Sequence, residues 1–221
     1  DYCTVAEIKA QTGIGAVTHD TVLTALATAA SRAIDNFCNR PDGFVSISVA
    51  SARVYAGEGR SWQPIDECTE ITLVAVKDSP TDTTYTSWAA ADWIAFRGDP
   101  ERPNFNKLPY EAIMCSAAGS YSIFTSGFFT TRAGFRPDPD VDHKRGVPTV
   151  QVTAKWGYAT TVPGPIKQAA ITIASRWFKR GESAWSDALA NGELGMLLYR
   201  KELDPDVKMM LVAGRYVRPA V

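Results

Sequence analysis

Two stretches of helical periodicity, one at each end of the chain, enclose a middle whose hydrophobic residues alternate. That switch of period constrains the fold more than any other feature. At the N-terminal end, Thr4 and Glu7 form a T-x-x-E capping box, in which each side chain satisfies the other's end of the first turn. A short helix is expected to follow and to stop before Gly13. Thr18 or Asp20 is then expected to cap a longer helix. Its apolar positions are Val22, Leu23, Leu26, Ala29, Ala30, Ala33, Ile34 and Phe37, at i, i+3, i+4 spacing. Small residues dominate it, so neighbouring backbones can approach closely. Pro41 and Gly43 end it.

From Phe44 to Trp156 the pattern is one of strands and turns. Val45, Ile47 and Val49 alternate, and Val54-Tyr55 leads into Gly57-Glu58-Gly59-Arg60, which reads as a hairpin-like turn. Ile71 to Val76 is a short apolar strand, and Trp93 to Phe96 and Ala112 to Cys115 are weaker ones. Val150, Val152, Ala154 and Trp156 alternate up to Gly157. The proline-rich stretches from Gly98 to Pro109 and from Phe135 to Pro148 read as loops.

Helix returns after Pro163-Gly164-Pro165, because proline suits a first turn whose N–H has no partner. Ile166, Ala169, Ala170, Ile173, Ala174 and Trp177 share one face. The pattern weakens near Gly181-Glu182-Ser183 and breaks at Asn191-Gly192. A last helix takes Asp204 as N-cap, Pro205 at its first position and Gly214 as C-cap. The expected fold class is therefore α+β. Residues 1–43 and 157–221 form a small helical bundle, and residues 44–156 form a β-rich insertion.

Searches for chemistry return little. The two histidines are far apart, and His19 reads as a cap-region residue. No G-x-S-x-G elbow and no H-E-x-x-H is present. Cys3, Cys38, Cys68 and Cys115 lack Cys-x-x-Cys spacing and read as reduced, mostly buried thiols. Gly13-Ile14-Gly15 reads as a helix–helix connector, since Thr18 stands where a phosphate loop needs its third glycine. Asp138, Asp140 and Asp142 match the first ligands of an EF-hand loop, but His143 occupies the glycine position and Thr149 the glutamate position, so a solvated acidic loop is expected. Trp62, Trp88, Trp93, Phe105 and Tyr110 are core or anchoring residues, or else an exposed binding patch. Phe124, Phe128 and Phe129 are core or a loop tip. No enzyme activity and no cofactor is expected.

The net charge is −1, without the basic excess of a generic nucleic-acid binder. It is unevenly spread, with 14 basic and 18 acidic residues up to position 162, and 9 and 6 after it. No apolar run approaches the ~20 residues a bilayer requires, and no basic segment leads into an apolar core, so no signal peptide is expected. The end, with Arg215, Tyr216, Val217, Arg218 and Pro219, has no helical pattern. It is either a disordered tail or a segment that orders on a partner, Arg and Tyr being favoured at interfaces.

Several runs resemble tailed-phage head–tail connector (adaptor) proteins. Tyr2-Cys3-Thr4-Val5-Ala6-Glu7-Ile8-Lys9, then Asp20 to Leu23 and Ala29 to Arg40, look like their opening, a short helix followed by an "A-x-x-x-I-D-x-x-C-x-R" helix. Val150 to Tyr158, then Val162-Pro163 and Ile166-Lys167-Gln168-Ala169, look like their strand ending in Gly-Tyr and their next helix start. Asp204 to Val207 and Arg215-Tyr216 are similar to their last helix and tail. The middle of the chain is longer than in the short members.

The resemblance implies a virion protein at the head–tail junction. It would form a homo-oligomeric ring, a dodecamer, beneath the portal protein. The ring would extend the DNA channel and carry a stopper or tail-completion protein. Double-stranded DNA would pass through without sequence-specific binding. Arg215 to Pro219 would be the portal-docking tail. Leu26, Ala30, Ala33, Ile34, Ile166, Ala170, Ile173 and Trp177 would lie on the helices that pack the subunits. Competing readings are a stopper or tail terminator, or a carbohydrate-binding module or hydrolase built on the β-rich middle.

Overall fold

The computed structural model describes residues 1–127, 146–182, 188–191, 195–198 and 203–218. The acidic stretch 138–143, Phe128, Phe129 and Pro219 lie outside them. The fold is α+β, and the chain divides into two units, Asp1–Phe44 with Thr161–Val221, and Val45–Thr160.

The first unit holds α1 (Val5–Thr12), α2 (Asp20–Phe37), α3 (Gly164–Glu182) and α4 (Pro205–Ala213), with α3 packed against the other three. The Thr4–Glu7 capping box is present at the start of α1, and Gly13 closes it in the left-handed conformation. The start of α2 differs from expectation. Val17–His19 form a 3-10 turn and neither Thr18 nor Asp20 caps; Asp20 is the first helical residue and pairs with Lys9. In α3, Ile166, Ala169, Ala170, Ile173 and Ala174 are buried, joined by Ile171 and Phe178. Asp204 caps α4, accepting the Asp206 N–H at 2.9 Å, and pairs with Arg176. Beyond α3, Ala188–Asn191 and Gly195–Leu198 pair antiparallel as β7 and β8, where the sequence shows only a break.

The buried face of α2 is turned from the expected one. It consists of Leu23, Ala27, Ala30, Ser31, Ile34 and Asp35. Ala29 and Val22 are exposed, and Leu26, Ala33 and Phe37 are half-buried. Ser31 and Asp35 take core positions because Tyr2 bonds to both.

The second unit holds β1 (Ser51–Tyr55), β2 (Trp62–Val76), β3 (Thr86–Ser87), β4 (Trp93–Phe96), β5 (Tyr110–Cys115) and β6 (Val150–Trp156). The sheet order is β1-β6-β2-β5-β4, all pairings antiparallel, with β3 added to the end of β2. The alternation in β6 is as expected, and Val150, Val152, Ala154 and Trp156 are buried against Ile65, Cys68, Val74, Trp88, Ile113 and Phe124.

Two expectations fail in this unit. Val45, Ile47 and Val49 form no strand and are exposed. Gly57 to Arg60 is no hairpin turn, because β1 pairs with β6 rather than with β2. Ile71 to Val76 proves to be the second half of a 15-residue strand. Its first half is masked in sequence by Pro64, Asp66 and Glu67, and register shifts between Pro64 and Cys68 and between Ile71 and Leu73 break its alternation.

Candidate functional site

A buried polar network lies in the helical unit, where the start of the chain, the end of α2 and the C-terminal segment meet. The Tyr2 N–H donates to Ser31 Oγ at 2.9 Å, and Ser31 Oγ donates to the Ala27 carbonyl at 2.8 Å. The Tyr2 hydroxyl donates to Asp35 Oδ1 and accepts the Phe44 N–H at 2.8 Å. Arg32 pairs with Asp35 Oδ2 at 3.0 Å. Ser31 and Asp35 thus point inward because Tyr2 supplies bonds that solvent would otherwise give.

The electrostatics follow from this burial. Asp35 is 5% exposed, and desolvation holds its carboxyl above the usual range, against the Tyr2 bond and the Arg32 charge that pull it down. Burial, then the bond to Asp35, holds the Tyr2 hydroxyl protonated far above its ordinary range. Because Asp35 takes up its proton more readily folded than unfolded, its contribution is fully present below the unfolded carboxylate value. It is lost as pH rises through the higher folded value. Asp35→Asn keeps an acceptor for Tyr2 and removes the titration. The stability of the variant relative to the natural chain is therefore expected to rise from acid to neutral pH in denaturant titrations. A constant difference would contradict this.

The C-terminal segment is folded onto this network as far as Arg218. Arg215 adopts φ +55°, turning the chain back after Gly214. The Tyr216 ring then meets Phe44 edge-on at 5.7 Å, and Phe44 meets Tyr2 edge-on at 5.8 Å. Arg40, 4% exposed, donates from Nε to the Tyr216 carbonyl at 2.8 Å and lies 5.0 Å over the Phe44 ring. The Arg218 N–H donates to the Cys38 carbonyl at 3.0 Å, satisfying one of the last carbonyls of α2. The expectation of a segment without structure of its own is corrected over these four residues. Arg215 and Val217 are exposed, while Tyr216 and Arg218 are half-buried.

The other expected site residues separate by burial. Ala30, Ile34, Ile166, Ala170 and Ile173 are buried within their own unit. Leu26, Ala33 and Trp177 are half-buried. Leu26 and Ala33 belong to a second stripe on α2, made of Val22, Leu26, Ala29, Ala33 and Phe37, which runs at helical spacing beside the buried face. On α4, Met209 and Val212 are exposed.

Among the described residues no cluster of three or more His, Cys, Asp or Glu is placed to hold a metal ion, and no helix is long and apolar enough to cross a membrane. Cys3, Cys38 and Cys68 are buried and Cys115 is half-buried, all as free thiols. Burial pushes the Cys38 thiol up to about 11 and the Cys68 thiol up to about 12. In mildly alkaline buffer both therefore stay protonated and shielded. Thiol labelling of the folded chain is expected to be slow at both, with all four cysteines reacting promptly in denaturant. Rapid labelling of Cys38 or Cys68 in the folded chain would contradict the packing described.

No family model and no curated protein matches the chain. Among solved structures, the chain is similar to one in the neck of an empty gene transfer agent (GTA) particle, computed with C6 symmetry. The TM-score is 0.52 at 15% identity, over 98% of this chain and 90% of that one. It is also similar to a chain in the virion of the native GTA particle, with a TM-score of 0.47 at 15% identity and the same coverage. At such identities the first likeness is one of fold.

Proposed function

We propose that this chain is a structural protein of a phage-like particle, a head–tail adaptor that forms a ring below the portal. The observation that carries this reading is the fold likeness to a chain of a particle neck. It spans 98% of the chain and so takes in both the helical and the β unit. The resemblance of residues 2–40 and 147–218 to connector proteins supports it independently. The near-neutral charge also suits it, because a channel wall studded with cations would hold passing DNA through phosphate contacts.

The mechanism is assembly rather than catalysis. Identical copies meet through heterologous contacts that close into a ring. The half-exposed stripe Val22, Leu26, Ala29, Ala33 and Phe37 is the part of α2 left for a neighbour, since Ala30 and Ile34 are spent on the subunit's own core. Twelve copies is the number implied by the connector resemblance, and twelve is compatible with a six-fold neck. Six copies would favour the stopper or terminator reading instead.

Portal docking falls to the edge formed by Arg215 and Val217, held in place by Tyr216. Each contact is weak alone and is repeated around the ring. Arg215→Glu combined with Val217→Asp leaves the folded core untouched. It is expected to lower co-sedimentation with portal-bearing heads at least tenfold at an unchanged melting temperature. Undiminished co-sedimentation would remove the docking role from this segment.

A further inference from the structure

The β unit contains a seam that closes at one end and opens at the other. β3 pairs with β2 at Ala75 and Val76, and the Trp88 N–H donates to the Val74 carbonyl at 2.9 Å. The chain then turns away through Ala89 to Asp92, a turn pinned by the Asp92 carboxylate accepting the Ala89 N–H at 2.8 Å, and enters β4. Among the described residues β4 pairs with β5 alone. On β2, pairing with β5 ends at Cys68 and pairing with β3 begins at Ala75. Between them, residues 69–74 have β6 on one side and no strand on the other among the described residues.

A cleft of about 410 Å³ occupies this gap, lined by residues 69–71 of β2, residues 93–95 of β4, Phe105 and Tyr110. Three consecutive residues from each strand line it. Register shifts between Cys68 and Glu70 and between Ile71 and Leu73 interrupt the pairing of β2 with β6 at this point. The opening is thus lined by two strands that each lack a second partner strand here among the described residues. Backbone N–H and C=O groups along such an edge are complemented most fully by another extended backbone, as in strand addition. Ile94 at the rim is 39% exposed.

The same unit carries a segment whose apolar side chains are exposed. Val45, Ile47 and Val49 alternate with serines and are 37%, 42% and 76% exposed. The Ser46 and Ile47 N–H groups donate to the Ala159 and Trp156 carbonyls and Val45 bridges Ala159, which fastens the start of the segment. Its period of two is that of a strand, yet it forms none in the single chain.

We propose that the Val45–Val49 segment of one copy seats in the β2–β4 seam of the next. This rests on the ring reading above, because donor and acceptor are different surfaces and such a contact between identical copies closes only as a ring. It names the β unit as part of the inter-subunit contact.

The test uses the full chain carrying Val49→Cys and Ile94→Cys, incorporated into heads and oxidised, and then run without reductant. The expected result is a ladder of covalent multimers, absent from either single variant and from the natural chain. A double variant that runs as monomer from heads containing wild-type amounts of it would overturn the seam while leaving the ring reading standing. A natural chain that is absent from purified heads and monomeric at every concentration would overturn both. Independently, Ile47→Asp and Ile94→Asp lie at exposed positions and are each expected to give normally melting monomers that form no ring. Ring formation by both would overturn the proposal.

Discussion

Replacing Trp156 by Ala is expected to cost about 3–5 kcal/mol and to unfold the β unit at temperatures where the natural chain stays folded. Trp156 is fully buried at the end of β6 and sits in the main cluster of that unit. Its indole N–H donates to the Ser51 carbonyl at 2.8 Å, which ties β1 to β6 beyond their ladder. The Arg53 guanidinium lies 4.6 Å over its ring and pairs with Asp66 at 2.8 Å, and Asp66 also accepts the Tyr55 hydroxyl at 3.0 Å. Alanine therefore leaves a cavity, an orphaned carbonyl and a cation without its ring. Trp156→Phe restores most of the volume but not the donor and is expected to cost roughly 1–3 kcal/mol. Urea unfolding followed by circular dichroism measures both. A loss under about 1 kcal/mol for alanine would contradict the packing described.

The second large effect is expected from ending the chain at Gly214. The truncation removes the Tyr216 ring from Phe44, the acceptor carbonyl from the buried Arg40 and the donor from the Cys38 carbonyl. Weakening the hydrogen bonding of a buried cation and exposing an aromatic together are expected to cost about 2–4 kcal/mol. Gly214→Ala is expected to act in the same direction with the tail still present. A β-carbon at that position would fall 2.4 Å from the Tyr216 ring, so the ring must leave its seat. Tyr216→Phe, by contrast, keeps the ring and the carbonyl and is expected to cost less than either. Thermal melts of the three variants give the order. Truncation at no cost would return the segment to a loose tail.

These effects show which parts of the fold are legible in sequence. Local signals read directly: the Thr4–Glu7 box, Asp204-Pro205 at the start of α4, and the strict alternation of β6 all rest on residues within a few positions of one another. Long-range choices do not. The buried face of α2 turns toward Ser31 and Asp35 because Tyr2, 33 residues before Asp35, bonds inside the unit, and no helical period announces that. The length of β2 is hidden by bulges, and the partner of β1 is a strand 95 positions or more away in the chain. At the candidate site, Tyr216 stands out by residue type, but its seat depends on a left-handed Arg215 and on Phe44, neither of which the local pattern marks. Tyr2 went unmarked among the candidate site residues. The signal that points to it is an aspartate on the inner side of an otherwise small and apolar helix.

The central claim is that this chain builds a ring at a head–tail junction, and electron cryo-microscopy of portal-bearing heads incubated with the purified chain tests it most directly. The account expects a closed ring of density directly below the portal, absent from untreated heads, with the helical unit against the portal and an axial channel wide enough for duplex DNA. Heads that remain bare at saturating protein, or density bound elsewhere on the capsid, would contradict it.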